Sequence, residues 1–291
     1  MTTESAPIES TSAGATAGSA SRRRRRKRVR GADPIPWWLK LVVGLVGVYL
    51  VLPTLFVVPM SFGSASTFAF PPKDFSLQLY ENFFTDPIWL TSLRNSVVVA
   101  LLASLLATVV GTAAAVGLHQ MQGRLARIAR TLLMVPLVTP AIVVAVAVYI
   151  SFLKWHLVGS LQGYVLAHAA LGVPFVLVAV TSGLSGFDPT LLRASASLGA
   201  SPVSTFRRVT MPLIGRGIVS GAIFAFVTSF DEVVIALFLR APEFQTMPVQ
   251  MYNSVTYEID PTMAAASSLV VIAVTSICFV VQFLGSRNRT R

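Results

Sequence analysis

Six apolar stretches, near residues 39–61, 95–117, 131–153, 162–183, 214–239 and 264–284, constrain this chain more than any other feature. Each reaches the roughly 20 residues that a helix needs to cross the hydrocarbon core of a bilayer. In lipid a spanning segment must satisfy its own backbone hydrogen bonds, so stretches of this length fold as helices. The expected fold class is therefore an all-α membrane protein with six transmembrane helices. Charge content agrees: charged residues make up 12% of the 291, against about 25% in soluble domains. Yet 23 Lys and Arg oppose 12 Asp and Glu, a net charge of +11 that in a soluble protein would suggest nucleic acid.

The placement of the basic residues resolves that conflict. With the N-terminus inside, 19 of the 23 fall on the inner side, leaving only Lys73, Arg94, Lys154 and Arg240 outside. An excess of Lys and Arg in cytoplasmic segments orients membrane proteins, so both termini are expected in the cytoplasm and nucleic acid is not an expected partner. Eight of the basic residues, Arg22 to Arg26, Lys27, Arg28 and Arg30, stand just before the first apolar stretch as a cytoplasmic anchor beside the membrane lipid. That stretch is too long, and lacks the small-residue cleavage site, for a removed signal peptide. Residues 1–21 carry too little apolar area to offset chain entropy. Residues 1–36 read as a disordered basic tail and 37–291 as the transmembrane domain.

Few residues suggest chemistry on this chain. Cys278 is the single cysteine, and His119, His156 and His168 share no close helical spacing, so no metal site is expected. His168 reads as a buried neutral imidazole with a backbone partner. Ala103, Ala107, Gly111 and Ala115 recur every fourth residue, a stripe that lets another helix backbone approach closely. Pro140 and Pro174 are expected to kink their helices. Phe68, Phe70, Phe75, Phe83, Phe84 and Trp89 in the outer segment 62–93 fit an interfacial belt or a docking surface for an external partner.

The inner segment 188–212 holds the most local information. Asp188 and Pro189 form an N-cap and N1 pair, after which Leu191, Leu192, Ser195 and Leu198 share one helical face. Gly199 can take the left-handed conformation that ends a helix. Ser201 and Pro202 then start a second short helix through Phe206 to Val209 that stops before Pro212. The expectation is a compact helix-turn-helix with a basic second arm, suited to insertion in a groove of another protein.

The string Ala194 to Ile214, ASASLGASPVSTFRRVTMPLI, resembles the EAA loop of binding-protein-dependent ABC importer permeases. Leu198, Gly199 and Ala200 match, as does the Met211-Pro212 ending, whereas Arg193-Ala194-Ser195 stands where the family has Glu-Ala-Ala. The likeness extends over about residues 95–284 and implies the type I importer permease bundle. It also implies that 188–212 is a coupling loop docking on a cytoplasmic ABC ATPase dimer through Arg193, Ala194, Ser195, Leu198, Gly199, Ala200, Ser201, Pro202, Arg207, Arg208 and Pro212. A second homologous permease and a periplasmic substrate-binding protein complete the implied assembly, in a bacterial inner membrane. This chain has no Gly-x-x-x-x-Gly-Lys-Ser/Thr phosphate loop, so ATP and Mg are expected on the ATPase subunit, with no cofactor and no enzymatic activity here.

Asp231 and Glu232 sit well inside the apolar stretch 214–239. A charge at a helix centre costs about 2.5–3.5 kcal/mol on insertion scales, so adjacent acids imply a partner or an aqueous path. On a continuous helix the two would point about 100° apart, leaving one to face a translocation cavity. The stretch SFDEVVIALFL and the residues after it resemble the second permease of the spermidine/putrescine branch, which implies a cationic polyamine-like cargo. Other small organic cargoes stay open. An ion-coupled secondary transporter would carry paired broken helices in two repeat halves, a pattern this sequence does not display.

Overall fold

The computed structural model describes residues 36–64, 70–72, 74–186, 188, 190–257 and 259–287, with side chains through Ser276. The basic tail expected over 1–36, apart from Pro36, lies outside the described residues. So do Phe68, Pro189 and the side chain of Cys278. Contacts divide the described residues into two units, one ending at Leu50 and the other starting at Val51.

The described residues form helices α1 (Trp37–Met60), α2 (Gln78–Thr85), α3 (Pro87–Gln120), α4 (Arg124–Val138), α5 (Ala141–Lys154) and α6 (Leu161–Leu184). They continue with α7 (Thr190–Ser197), α8 (Pro202–Thr205), α9 (Met211–Phe230), α10 (Val234–Leu239), α11 (Met247–Thr256) and α12 (Thr262–Arg287). Among them, four helices are long and apolar enough to cross a membrane, or five if the bent pair α4 and α5 counts as one span. The last expected stretch, 264–284, lies within α12.

Three expected helices differ in ways that have physical causes. The stretch 131–153 is not one helix, because α4 and α5 meet at 104°. A proline disfavours helical backbone in the residue before it, and Thr139, ahead of Pro140, is extended with ψ 135°. Pro174 leaves α6 as one element, buried with Val173 and Val176. The helix expected from residue 95 starts earlier, at Pro87, because the Asp86 carboxylate caps it by accepting from the Ile88 N–H at 2.7 Å. The third difference, at 214–239, concerns the site described below.

Small residues set the core. Ala103, Ala107, Gly111 and Ala115 are all buried on one face of α3, against α6. A Cβ at Gly111 would stand 2.7 Å from Cβ of Val176, and one at Gly221 of α9 would stand 2.8 Å from Cα of Val176. The backbones of α3, α6 and α9 therefore pack at distances that only small residues allow. A second cluster joins α5, α6 and α10 through Ala145, Phe152, Tyr164, Ile235, Ala236 and Leu239. Two of the outer aromatics belong to a third: Phe83 and Trp89 are buried, and Trp89 Nε1 donates to Asp260 at 3.1 Å. Phe70, Phe75 and Phe84 remain exposed.

Candidate functional site

The 188–212 segment folds as two short arms around a glycine turn. The Thr190 N–H donates to the Asp188 carboxylate at 2.8 Å, which holds that carboxyl below the usual carboxylate range. At the far end of α7, Ala200 N–H donates to Ser195 O at 3.1 Å and Gly199 N–H to Ala196 O at 3.0 Å. This is the Schellman pattern, and Gly199 takes the left-handed φ of 75° that it requires. Ser201 Oγ then accepts from the Ser204 N–H and caps α8.

The face expected on the first arm is only partly realised. Leu192 and Ser195 turn toward a groove of about 590 Å³ that also involves Val116 and Gln120 of α3, and Ser195 Oγ meets Thr205 Oγ1 at 3.1 Å. Leu198 instead projects outward at 87% exposure and Leu191 is also exposed. The second arm does not stop before Pro212. It passes through a π-helical turn, Phe206–Thr210, directly into α9. Pro212 has no N–H to donate to the fourth residue back, and the wider turn absorbs that offset, with Met211 N–H reaching Phe206 O. Arg193, Ala194, Gly199, Ser201, Pro202, Arg207, Arg208 and Pro212 are all exposed, and Ala200 is half-buried.

The acids at 231 and 232 do not lie mid-helix. The span expected as 214–239 ends its first part at Phe230 and resumes at Val234. Asp231 is the C-cap of α9, its N–H donating to Val227 O at 3.0 Å. It is exposed, and with Phe226, Phe230, Val270, Val274 and Thr275 it lines a cavity of about 310 Å³ between α9 and α12. Glu232 is half-buried and accepts from the Ile235 N–H at 2.7 Å, capping α10. One acid thus faces space while the other supports the backbone.

Helix α6 holds both ends of this break. His168 is buried at 1% exposure, and its Nδ1 lies 3.1 Å from Ser229 O and 2.9 Å from Ser229 Oγ. The carbonyl only accepts, so its bond to His168 is made by the tautomer that carries its proton on Nδ1. Nε2 is buried with no protein partner among the described residues. One turn earlier, the fully buried Tyr164 donates its hydroxyl to Ala236 O of α10 at 3.1 Å. The expected buried histidine with a backbone partner is therefore present. Tyr164 and Ser229 escaped sequence reasoning, and the signal available was the four-residue spacing of Tyr164 and His168 in an apolar helix.

A third feature lies at the start of α3. Asn95 Nδ2 donates to Gln245 O at 2.9 Å, Asn253 Nδ2 donates to Gln245 Oε1 at 3.0 Å, and Arg240 donates to Asn253 Oδ1 at 3.1 Å. With Glu243, Gln250 and Tyr257 these groups line an open hollow of about 550 Å³. These residues come from three separate stretches, so only folding assembles them.

Residues 107–290 match the family described as binding-protein-dependent transport system inner membrane component. The spermidine/putrescine transport system permease protein PotC of Haemophilus influenzae is 29% identical over 240 residues, covering 82% of this chain and 93% of that protein. The putrescine transport system permease protein PotI of Escherichia coli K12 is 30% identical over 261 residues, covering 87% of this chain and 92% of that one. Among solved structures, a chain of a bacterial ABC transporter involved in import of the acidic polysaccharide alginate aligns with TM-score 0.66 at 15% identity, over 84% of this chain and 94% of its own. A chain of an amino acid ABC transporter aligns at TM-score 0.53 and 20% identity, over 72% of this chain and 97% of its own. At those identities the structures establish the fold alone.

Proposed function

This chain belongs to the family of binding-protein-dependent transport system inner membrane components, and from that premise we propose that it is the permease subunit of an ATP-driven importer of spermidine- or putrescine-type polyamines. The observation that carries the cargo is the near end-to-end match to two permeases that are themselves named for polyamine transport. The acidic pair adds chemical support, because a carboxylate attracts an ammonium and accepts its hydrogen bonds.

The roles of particular residues follow from where they stand. Asp231 lines the cargo path, since it is the acid that borders a cavity, whereas Glu232 acts on the backbone of α10. Residues 188–212 dock on the cytoplasmic ATPase dimer. Exposed Leu198 and Val203 supply an apolar contact, and Arg207 and Arg208 a basic one. A second homologous permease completes the pore, and a periplasmic binding protein delivers cargo to 62–93 and 240–263. Both termini lie in the cytoplasm, as the sorting of 19 basic residues against four requires.

The test is uptake of radiolabelled spermidine by cells that lack other polyamine import and express this chain with its partner subunits. We expect uptake that stops on ATP depletion, falls at least about tenfold in Asp231→Asn, and survives in Glu232→Gln. Uptake that outlasts ATP depletion and collapses with an uncoupler would overturn the importer reading in favour of ion coupling. Full spermidine uptake by Asp231→Asn would remove that residue from the path.

A further inference from the structure

The break at Asp231–Val233 leaves backbone acceptors open inside an apolar segment. A helix that ends at Phe230 cannot pair the carbonyls of its own last turn, and Ser229 O is one of them. Ala236 O is open for a separate reason, the end of α10 at Leu239, where the Arg240 backbone makes no capping bond. With lipid as solvent such groups need a protein partner. Both partners come from one turn of α6: His168 Nδ1 for Ser229 and the Tyr164 hydroxyl for Ala236. The two side chains bridge the gap from outside it.

The packing around them makes this arrangement rigid on one side only. Tyr164 is held by Phe244, with ring centroids 5.0 Å apart, and by His168 at 5.8 Å. Ile235, Ala236 and Leu239 of α10 are wholly buried in the cluster with Tyr164, and α9 is locked to α6 through Gly221 and Val176. Between these anchored ends, Asp231 alone is exposed and borders the cavity toward α12.

We infer that Tyr164 and His168 are positioning residues for transport, clasping the two halves of the broken span to α6 and thereby setting where Asp231 stands in the cargo path. The inference rests on the proposed role of Asp231, but its geometric half does not depend on which solute is carried. Without the clasp, Ser229 O would be free to accept from Val233 N–H and draw the span toward a continuous helix, and α10 would lose its tie to α6. Asp231 would then rotate with it.

Cysteine labelling separates the two halves. In a full-length Cys278→Ser chain carrying Asp231→Cys, assembled with its partner subunits, a membrane-impermeant maleimide reads the exposure of position 231. Tyr164→Phe and His168→Leu should each change the labelling rate by about fivefold, the factor expected for one lost hydrogen bond. His168→Asn should restore it, because Asn Nδ2 occupies the place of His Nδ1. Ser104→Ala, which removes a bond internal to α3, should leave the rate unchanged. With Asp231 restored, Tyr164→Phe and His168→Leu should lower spermidine uptake about fivefold, and His168→Asn should recover it.

Unchanged labelling in variants that insert normally overturns the clasp, as does an equal change from Ser104→Ala. Should His168→Leu fail to insert, Tyr164→Phe, which keeps the ring and its packing, decides the question. A labelling change in a transporter that takes up no spermidine supports the clasp and rejects the cargo.

Discussion

The turn at Leu198–Gly199 and the break at Asp231–Val233 both interrupt helices, but by different means. The turn is closed by its own residues: the Ala200 and Gly199 N–H groups bond back to Ser195 and Ala196, and Ser201 starts the next helix. The break is only half local. Glu232 caps the helix that follows, while Ser229 O before the break and Ala236 O toward the far end of α10 are met by His168 and Tyr164, 61 to 72 residues away in sequence. The difference follows the solvent. A turn facing water has a partner for any group it leaves open, whereas a break within an apolar span must find its partners in the protein.

The comparison is easiest to break at the packing that holds α9 to α6. Gly221→Leu would drive a side chain into Val176, and overpacking of this kind costs about 3 kcal/mol at its upper end. We expect a lower Tm of the detergent-purified protein and reduced yield; an unchanged Tm would mean that the break does not depend on this contact. Glu232→Ala should cost about 2 kcal/mol by leaving the Ile235 N–H without its acceptor. Glu232→Gln keeps an oxygen there and should cost much less, a contrast that thermal unfolding of the pair would measure.

Changes at the turn should be smaller and confined to it. Gly199→Ala places a Cβ at a φ of 75°, which costs roughly 1–2 kcal/mol. We expect faster proteolytic cleavage within 190–205 with little change in global Tm; a large Tm loss would mean that the turn is coupled to the core. The smallest effect concerns Asp188, whose carboxyl is held below its ordinary range by the Thr190 N–H. A depressed carboxylate stabilises the folded turn above its ordinary value and loses that contribution as pH falls through the lowered one. Cleavage of the turn should therefore accelerate below about pH 4, and Asp188→Asn should abolish that acid dependence.

Much of the fold was legible because membrane helices announce themselves by length and apolarity. The stripe from Ala103 to Ala115 was legible too, since a four-residue spacing of small side chains has one use in a helix bundle. Other features were not. Pro140 breaks its span and Pro174 does not, although both stand in apolar runs: Pro174 is buried among α6 neighbours while Thr139 is free to extend. Phe83 and Trp89 read as surface aromatics because their burial depends on α11 and α12, far along the chain.

At the site the division is sharper. Sequence alone determined that two acids sit in an apolar stretch and that a glycine turn follows Leu198. Each of these is a property of neighbouring residues. Only the tertiary structure decided that Asp231 and Glu232 occupy a gap rather than a helix, so that one borders a cavity and the other caps α10. The reason is that backbone groups released inside lipid must be paired, and the residues that pair them, Tyr164 and His168, reach the gap only once α6 has packed against α9 and α10.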